Sequence, residues 1–428
     1  MVQVSVLVPV YNVKTYLKEC LDSLVAQTQD DIEFICIDDG STDGCSEILD
    51  VYATENRKFR VIHKVNSGYG ASMNVGLRVA QGEYIGIVES DDFADPDMFR
   101  ALYDVASRFH ADVVKSNCWK RMEGTSAFWD VLHGHKYGKA LCPRKEDPHF
   151  IIEAPTIWSC IYRRKFLLEQ DIWFNETPGA SFQDTSFVFL TKAYADRFVL
   201  VKEAYLHYRI DNASSSTRST GKIFSVIDEY DAIQRHLMAY PLKENRELCG
   251  LSAELLYWNF TFTENRIPVD KYFEFWRKGY PKLKAAQQQG VFHEDLGKSM
   301  EDWMWQRYKP YRNQRVLREG FFSLLRSTLH AYLFGAGRIA RTILAFLKKN
   351  GCMIDGFVVS DLEENCRKID GIPVYAMEDA IVNREHDLVL IATTPSKQQI
   401  QQEIYFELEQ MGYRNVVVLT KELYAALI

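Results

Sequence analysis

A chain of 428 residues, 47% hydrophobic and 13% aromatic, is too long for one ordinary core and too apolar to be disordered, so two or three folded domains are expected. A net charge of −7 argues against a general nucleic-acid binder, and nine cysteines scattered without a C-x-x-C pair fit reduced thiols in a cytoplasmic protein better than a disulfide framework or a zinc site. No apolar run approaches a membrane span, and the first residues read as a strand without the basic n-region of a signal peptide.

Val4 to Val8 form an apolar strand, after which Leu17, Cys20, Leu21, Leu24 and Val25 recur at helical spacing. The loop between them, Pro9 to Asn12, opens on the carboxyl end of that strand. A second strand, Ile32 to Ile37, ends in DDGSTD. There Asp38 and Asp39 leave the sheet, Gly40 permits a tight turn, and Thr42 or Asp43 is placed to cap a helix running through Tyr52. Phe59 to His63 make a third strand. It is followed by NSGYGASMN, whose glycines Gly68 and Gly70 let backbone approach a ligand closely before a helix carrying Met73, Leu77 and Ala80.

The fourth strand, Tyr84 to Val88, runs into three acids within four positions, Glu89, Asp91 and Asp92. In an open α/β sheet the carboxyl edge is where ligands bind. Carboxylates this dense repel one another unless a cation shares them, and hard oxygen ligands suit Mg²⁺ or Mn²⁺, which would in turn hold a diphosphate. The same residues also read as a solvated turn leading to a helix cap at Asp95-Pro96. Phe99, Leu102, Tyr103, Ala106 and Phe109 then mark an amphipathic helix, and Ala111 to Lys115 another strand. Strands alternating with helices predict a parallel, doubly wound sheet with three acid- or glycine-rich loops on one edge. Asp38 or Asp39 is poised there to accept hydrogen bonds from a base or ribose, with Pro9 and Tyr11 flanking the ring.

VPVYN, IDDGSTD, NSGYGASMN and ESDDF, in this order and spacing, resemble the GT-A family 2 glycosyltransferases, enzymes that use nucleotide-diphospho-sugars. The likeness covers roughly the first 220 residues. It implies a GT-A domain over 1–220, a UDP-sugar donor, a saccharide or lipid-linked saccharide acceptor, inverting in preference to retaining stereochemistry and a place in cell-surface polysaccharide synthesis. It further implies that Asp39 contacts the nucleobase and that Glu89 and Asp91 form a DXD-type motif for Mn²⁺ or Mg²⁺. Pro9, Tyr11, Asp38, Ser41, Gly68, Asn74 and Asp92 complete the donor side. Two departures stand out. Glu89 replaces the family's usual Asp, which leaves open direct or water-mediated contact with the metal. SMN replaces Ala-Arg-Asn, so a phosphate-facing arginine is missing and another cation must take its place.

Trp119 to Ile152 lacks a clean period and is expected to wrap the acceptor side; His133 and His135 have ligand spacing, but hydrogen-bonded or surface histidines suit them better. In TIWSCIYRRKFL a strand leads into a short helix, with Arg163 and Arg164 facing either phosphate or solvent. FQDTSFVF embeds Asp184 among Phe182, Phe187 and Phe189, where partial burial would lift its pKa and suit it to proton abstraction. An aspartate before a helix otherwise reads as an N-cap. By the resemblance, with Gln183 where the family has Glu, Asp184 is the catalytic base. LHYRIDNASSSTRS suits a mobile lid over the diphosphate or a plain linker. Arg209 and Arg218 are the replacement cations, and His207 packs rather than ligates.

From 221 to 328 the pattern turns helical and aromatic, with Trp258, Phe260, Phe262, Phe273, Phe275 and Trp276 as a helical subdomain's core. The basic, aromatic tract from Trp303 to Arg326 fits a solvated helix face or a peripheral contact with the inner face of the cell membrane. Over 329–428 the α/β rhythm restarts in a small Rossmann-like domain. Gly335, Gly337 and Ala340 form a G-x-G-x-x-A, and strands follow at Ile354 to Val359, Leu388 to Ala392 and Val416 to Leu419. This part resembles nucleotide-binding modules attached to bacterial polysaccharide-synthesis enzymes. The expected ribose-binding acid is missing, Asp361 lying late, so a bound nucleotide and a structural or homo-oligomerising role both stay open. Two rival readings accompany the transferase: an NAD-dependent oxidoreductase acting through this domain, and a non-catalytic sugar-nucleotide-binding scaffold.

Overall fold

β1 (Val4–Val10) is buried at all seven positions, the pattern of a strand covered on both faces rather than one open to water. In the computed structural model, which describes residues 1–428 except 123, 134, 154, 181, 213–223, 264–271, 292–313, 363–366, 378–385, 396–397 and 428, the chain forms two units, Met1–Arg266 and Ile267–Ile428.

The first unit continues α1 (Lys14–Val25), β2 (Ile32–Asp38), α2 (Cys45–Glu55), β3 (Phe59–His63), α3 (Tyr69–Val79), β4 (Tyr84–Ile87), β5 (Phe93–Ala94) and α4 (Met98–Phe109). Apart from the short β5, these are the elements expected from periodicity, each nearly as read. Then come β6 (Val113–Met122), β7 (Thr125–Trp129), β8 (Ala140–Leu141), α5 (Pro143–Glu146), a 3₁₀ turn at Pro148–Ile152, β9 (Cys160–Arg163), α6 (Arg164–Glu169), α7 (Gln183–Tyr194), β10 (Phe198–Arg209), α8 (Ser225–Ala239) and α9 (Asn245–Thr263). The sheet runs β3-β2-β1-β4-β9-β6-β10-β5, with β7 on β6 and β8 on β10.

This sheet is mixed, not parallel throughout as the strand–helix alternation predicted. β1 to β4 are parallel, but β9 enters antiparallel between β4 and β6. The reason is local. The link from β6 to β9 is a hairpin, short turns and a 3₁₀ segment rather than one crossover helix, so nothing carries the chain back to restart in the parallel sense. α4 closes on the sheet through Gly86, where an added Cβ would strike the Phe99 ring. α8 and α9 pack with α7 inside this same unit, so the helical region expected over 221–328 is divided between the two units.

The second unit comprises α10 (Tyr272–Gln288), α11 (Gln314–Ser327), β11 (Ala331–Phe334), α12 (Arg338–Lys349), β12 (Gly356–Val359), β13 (Lys368–Ile369), β14 (Ile372–Ala376), β15 (Leu388–Ile391), α13 (Gln398–Gln410), β16 (Asn415–Val418) and α14 (Lys421–Leu427). Its sheet order is β13-β14-β12-β11-β15-β16, parallel except at β13. Strand alternation splits the core: Leu333, Phe357 and Leu390 join one face, Tyr332, Phe334, Val358 and Val389 the other. Phe321 and Phe322 of the basic aromatic tract are core residues of this unit, whereas Trp303, Trp305, Arg307, Lys309 and Arg312 lie outside the described residues. Among the described residues no helix is long and apolar enough to cross a membrane.

Candidate active site

The carboxyl ends of β1, β2 and β4 converge on one edge of the first unit, and each brings a loop there. Val10 is level with Asp38, and Asp39 N–H donates to the Val10 carbonyl at 2.9 Å. Asp38 is buried, its carboxylate accepting from Ser41 N–H (2.9 Å), the Ser46 hydroxyl (2.6 Å) and His63 Nδ1 (2.8 Å). Burial works against that charge, but donation from Ser46, His63 and Ser41 outweighs it and holds the carboxyl below its ordinary value. Asp38 is thus spent on the turn. Asp39, also buried, takes Ser67 N–H and Gly68 N–H at 2.9 Å each and an ion pair with Lys64. Pro9 is buried within β1, Tyr11 is 54% exposed beside it, and the Ser41 hydroxyl accepts from Asn12 N–H at 3.2 Å.

A strut joins this edge to the approach of α7. Gly68 has φ 93°, and its surroundings are the backbone of Thr177 and Gly179, too close for any Cβ. Tyr69 N–H donates to the Gly179 carbonyl at 2.8 Å, and Gln183 Nε2 reaches Thr177 Oγ1 at 2.8 Å. Asn74, expected on the donor side, spends both ends of its amide on Phe174: Nδ2 donates to the carbonyl and Oδ1 accepts from the N–H, both at 2.9 Å. It positions the loop instead of facing the cleft.

Beyond β4 the three acids part company. Glu89 remains partly exposed and accepts from the Tyr69 hydroxyl at 2.6 Å. The surrounding protein lifts its pKa to about 8, the Tyr69 bond opposing this while the charges of Asp91 and Asp184 add to it. Asp91 Oδ2 accepts from Asn212 Nδ2 at 2.7 Å. Asp92 is buried, with Oδ1 accepting from Arg209 N–H at 2.7 Å and Oδ2 buried without a hydrogen-bond partner among the described residues. Burial, then Asp91, pushes its pKa well up. Arg209, expected to face the diphosphate, is instead turned onto the acid loop. Its Nε donates to the Asp91 carbonyl at 2.8 Å, its guanidinium pairs with Glu19, and it lies 4.7 Å from the Tyr16 ring centroid. Arg218 lies outside the described residues.

Asp184 is the second residue of α7, whose N-cap is Phe182 at φ 63° with no side-chain capping bond. The cap reading of this aspartate therefore fails. Burial raises its pKa to about 7, against hydrogen bonds from its own N–H and from Thr185. One residue pair behind it, the fully buried Glu229 of α8 binds the Ser186 hydroxyl and N–H and the Asn175 amide at 3.0 Å. Burial holds Glu229 at about 8, and Asp184 contributes. Tyr69, Lys64 and Glu229 were not singled out in the sequence. Only Tyr69, set between two glycines, carried a local signal.

The histidines pack. His207 stacks on Phe93 at 4.3 Å and pairs with Asp95 at 3.0 Å, and His135 is bound by Asp147 and Glu153. Arg163 pairs with Asp112 and is level with Tyr84, at the far end of β4 from the acids. Among the described residues no group of three or more His, Cys, Asp or Glu is arranged to hold a metal ion. Glu89 and Asp91 offer two carboxylates, a set that fits Mg²⁺ or Mn²⁺ when a bound diphosphate supplies further oxygens. The charges of Asp91 and Asp184, which add to the burial-driven rise at Glu89, are the excess negative field that such a cation would relieve.

In the second unit the G-x-G-x-x-A falls where expected. Gly335 has φ 100°, Gly337 is the N-cap of α12, and a cavity of about 680 Å³ there is lined by Ala336, Gly337, Arg338, Arg341, Thr342 and Ala345.

Residues 5–170 match the family described as Glycosyl transferase family 2, and residues 328–416 match the one described as C2185-like, N-terminal. The chain is 33% identical over 225 residues to the putative glycosyltransferase EpsH of Bacillus subtilis (strain 168), covering 52% of this chain and 64% of EpsH. It is 40% identical over 115 residues to the poly(ribitol-phosphate) beta-glucosyltransferase of Bacillus spizizenii, covering 26% of this chain and 18% of that protein. The chain thus spans less than two thirds of either relative. The crystal structure of S. aureus TarS 1–349 in complex with UDP-GlcNAc has the same fold, with TM-score 0.54, 21% identity, and coverage of 71% of this chain and 92% of TarS. Residues 5–170 of the first unit thus match the family 2 model on a GT-A-like α/β fold that resembles TarS, with a second sheet in the C-terminal region.

Proposed function

We propose that this chain transfers a sugar from a UDP-sugar to an acceptor hydroxyl in cell-surface polysaccharide synthesis, with inversion at the anomeric carbon and Asp184 as the base. The observation that carries the reading is Asp184 itself, a carboxyl that burial raises to about 7 and whose charge reaches Glu89 at the ligand edge of the region that matches family 2. The nucleotide-sugar in the TarS complex and the activity named for the Bacillus spizizenii relative support the donor and acceptor classes.

The base of the donor lies against Tyr11, whose half-open ring offers a stacking face. Asp39 fixes the floor through Ser67 and Gly68, and its Oδ2, which takes one amide hydrogen, has a lone pair left for a nucleobase N–H. Glu89 and Asp91 would hold Mg²⁺ or Mn²⁺, which when bound offsets the charge of the leaving diphosphate. Asp184 takes the proton of the acceptor hydroxyl as its oxygen attacks from the face opposite the diphosphate. A carboxyl titrating near neutrality is half-ionised at working pH and still basic enough to accept that proton.

The test is UDP release from a panel of UDP-sugars with Mn²⁺, with water as acceptor. Cleavage of one donor by the wild type, lost in Asp91→Ala and Asp184→Asn, supports the transferase and names the sugar. Metal-independent binding without turnover by any of the three contradicts it.

A further inference from the structure

One wall of the acid cleft is aromatic, and nothing in the donor chemistry uses it. β9 runs antiparallel to β4 with Gly86 level with Ile161, and Trp158 lies in the turn just before β9. Trp158 is 7% exposed and stacks flat on Tyr208 of β10, ring centroids 4.8 Å apart and planes 13° from parallel. Trp129, at the end of β7, is tilted against both, 6.2 Å from Trp158 and 6.1 Å from Tyr208. The Lys120 ammonium sits 4.0 Å from the Trp129 centroid, a cation–π contact that fixes the ring. Trp129 and Tyr208 are half-buried, so each keeps an open surface. The Tyr208 hydroxyl makes no hydrogen bond among the described residues, although Asp92, Asp91, Glu89 and Asp184 all act on it electrostatically, after burial, in pushing its pKa up to about 12.

An aromatic patch at the outer surface would suit any apolar partner. This one is different in position, because Arg209, the residue after Tyr208, donates its N–H to Asp92 of the acid loop at 2.7 Å, and Tyr208 lies within the field of the acids and of Asp184, where the acceptor hydroxyl must arrive. A pyranose presents an apolar face of C–H groups bordered by hydroxyls. Rigid rings fit the first and an uncommitted phenol fits the second. We propose that Trp129 and Tyr208, backed by Trp158, form the platform on which the acceptor's terminal sugar ring stacks, with the Tyr208 hydroxyl bound to one of its hydroxyls. The assignment rests on the glycosyl-transfer reading for its place in the reaction, but not for the binding itself.

The full-length chain is titrated with the methyl β-glycosides of glucose, galactose and N-acetylglucosamine, followed by saturation-transfer NMR. Saturable binding of at least one is expected, weakened roughly fivefold to tenfold in Trp129→Ala, the size of one lost stacking contact, and largely restored in Trp129→Phe. Phe128→Ala, on the adjacent half-exposed ring that packs on Trp119, serves as the control for the hairpin's integrity and retains wild-type binding. If the wild type binds none of the three glycosides, or if Trp129→Ala binds as tightly as wild type, the platform is overturned. Loss of binding in Phe128→Ala equal to that in Trp129→Ala overturns it too, because the hairpin's fold and not the ring would then be responsible. Donor cleavage by the wild type, assayed without glycoside, separately decides the transferase reading.

Discussion

The two units place opposite chemistry at the same architectural position. In the first, the carboxyl end of β4 delivers Glu89, Asp91 and Asp92 and faces Asp184; burial raises Glu89, Asp92 and Asp184, and neighbouring carboxylates add to the rise at Glu89 and Asp92. In the second, the carboxyl end of β11 delivers Gly335 and Gly337 and a cavity whose charged lining, among the described residues, is Arg338 and Arg341. Both obey the rule that parallel strands point their loops at the ligand edge. What differs is the side chains seated there, carboxylates at one edge and, among the described residues, arginines at the other.

If that contrast is right, damage at the acid edge dominates. Asp184→Asn keeps the size of the side chain and removes its basicity, and lowers UDP release by roughly 10² to 10⁴ in kcat, the usual contribution of a general base; steady-state rates on the cleaved donor measure this. The pH dependence comes next. Because the Asp184 carboxyl is raised to about 7, kcat/KM rises with pH through that value and falls about tenfold per pH unit below it. Stability moves the other way. Asp184 and Glu89 hold protons in the folded state up to about 7 and about 8 that the unfolded chain releases near its ordinary carboxyl value. The folded state therefore binds more protons in this window, and the unfolding midpoint falls as pH rises through it.

Smaller effects sharpen the same comparison. Asn74→Ala leaves the Phe174 N–H and carbonyl without partners and destabilises the first unit by about 1 to 3 kcal/mol, read as a lower denaturation midpoint with the loop before α7 loosened. Smallest of all is Arg341→Ala. This exposed residue of the second unit changes UDP release by no more than about twofold, as surface substitutions away from a site do. A larger loss would mean that the basic edge takes part in the reaction.

Much of this was legible in the sequence wherever one local rule acts alone. Phe59 to His63 needed only an apolar run between breakers, and β3 occupies those residues. The acids after β4 needed only the strand's end. What escaped depends on contacts distant in sequence. Asn74 bonds a residue one hundred positions on, Glu229 reaches α7 from α8, and Arg209 is drawn to Glu19 and the acid loop. None of these has a periodicity to announce it. The antiparallel entry of β9 was hidden for a related reason: its apolar run looks the same whichever way the strand runs, and direction is set by the connection before it. Asp184 shows both sides. Its aromatic surroundings were readable, but the cap reading could be excluded only once Phe182 was seen to hold the N-cap.

The central claim is that one carboxyl, raised by burial beside an acid cluster, is the base. It is tested most directly by following UDP release from the cleaved donor by the wild type and Asp184→Asn side by side, from about pH 5 to pH 9. The account predicts an acidic limb with a midpoint near 7 for the wild type, and for Asp184→Asn a low rate that no longer follows that limb. A variant that keeps the wild-type rate and the same limb would contradict it.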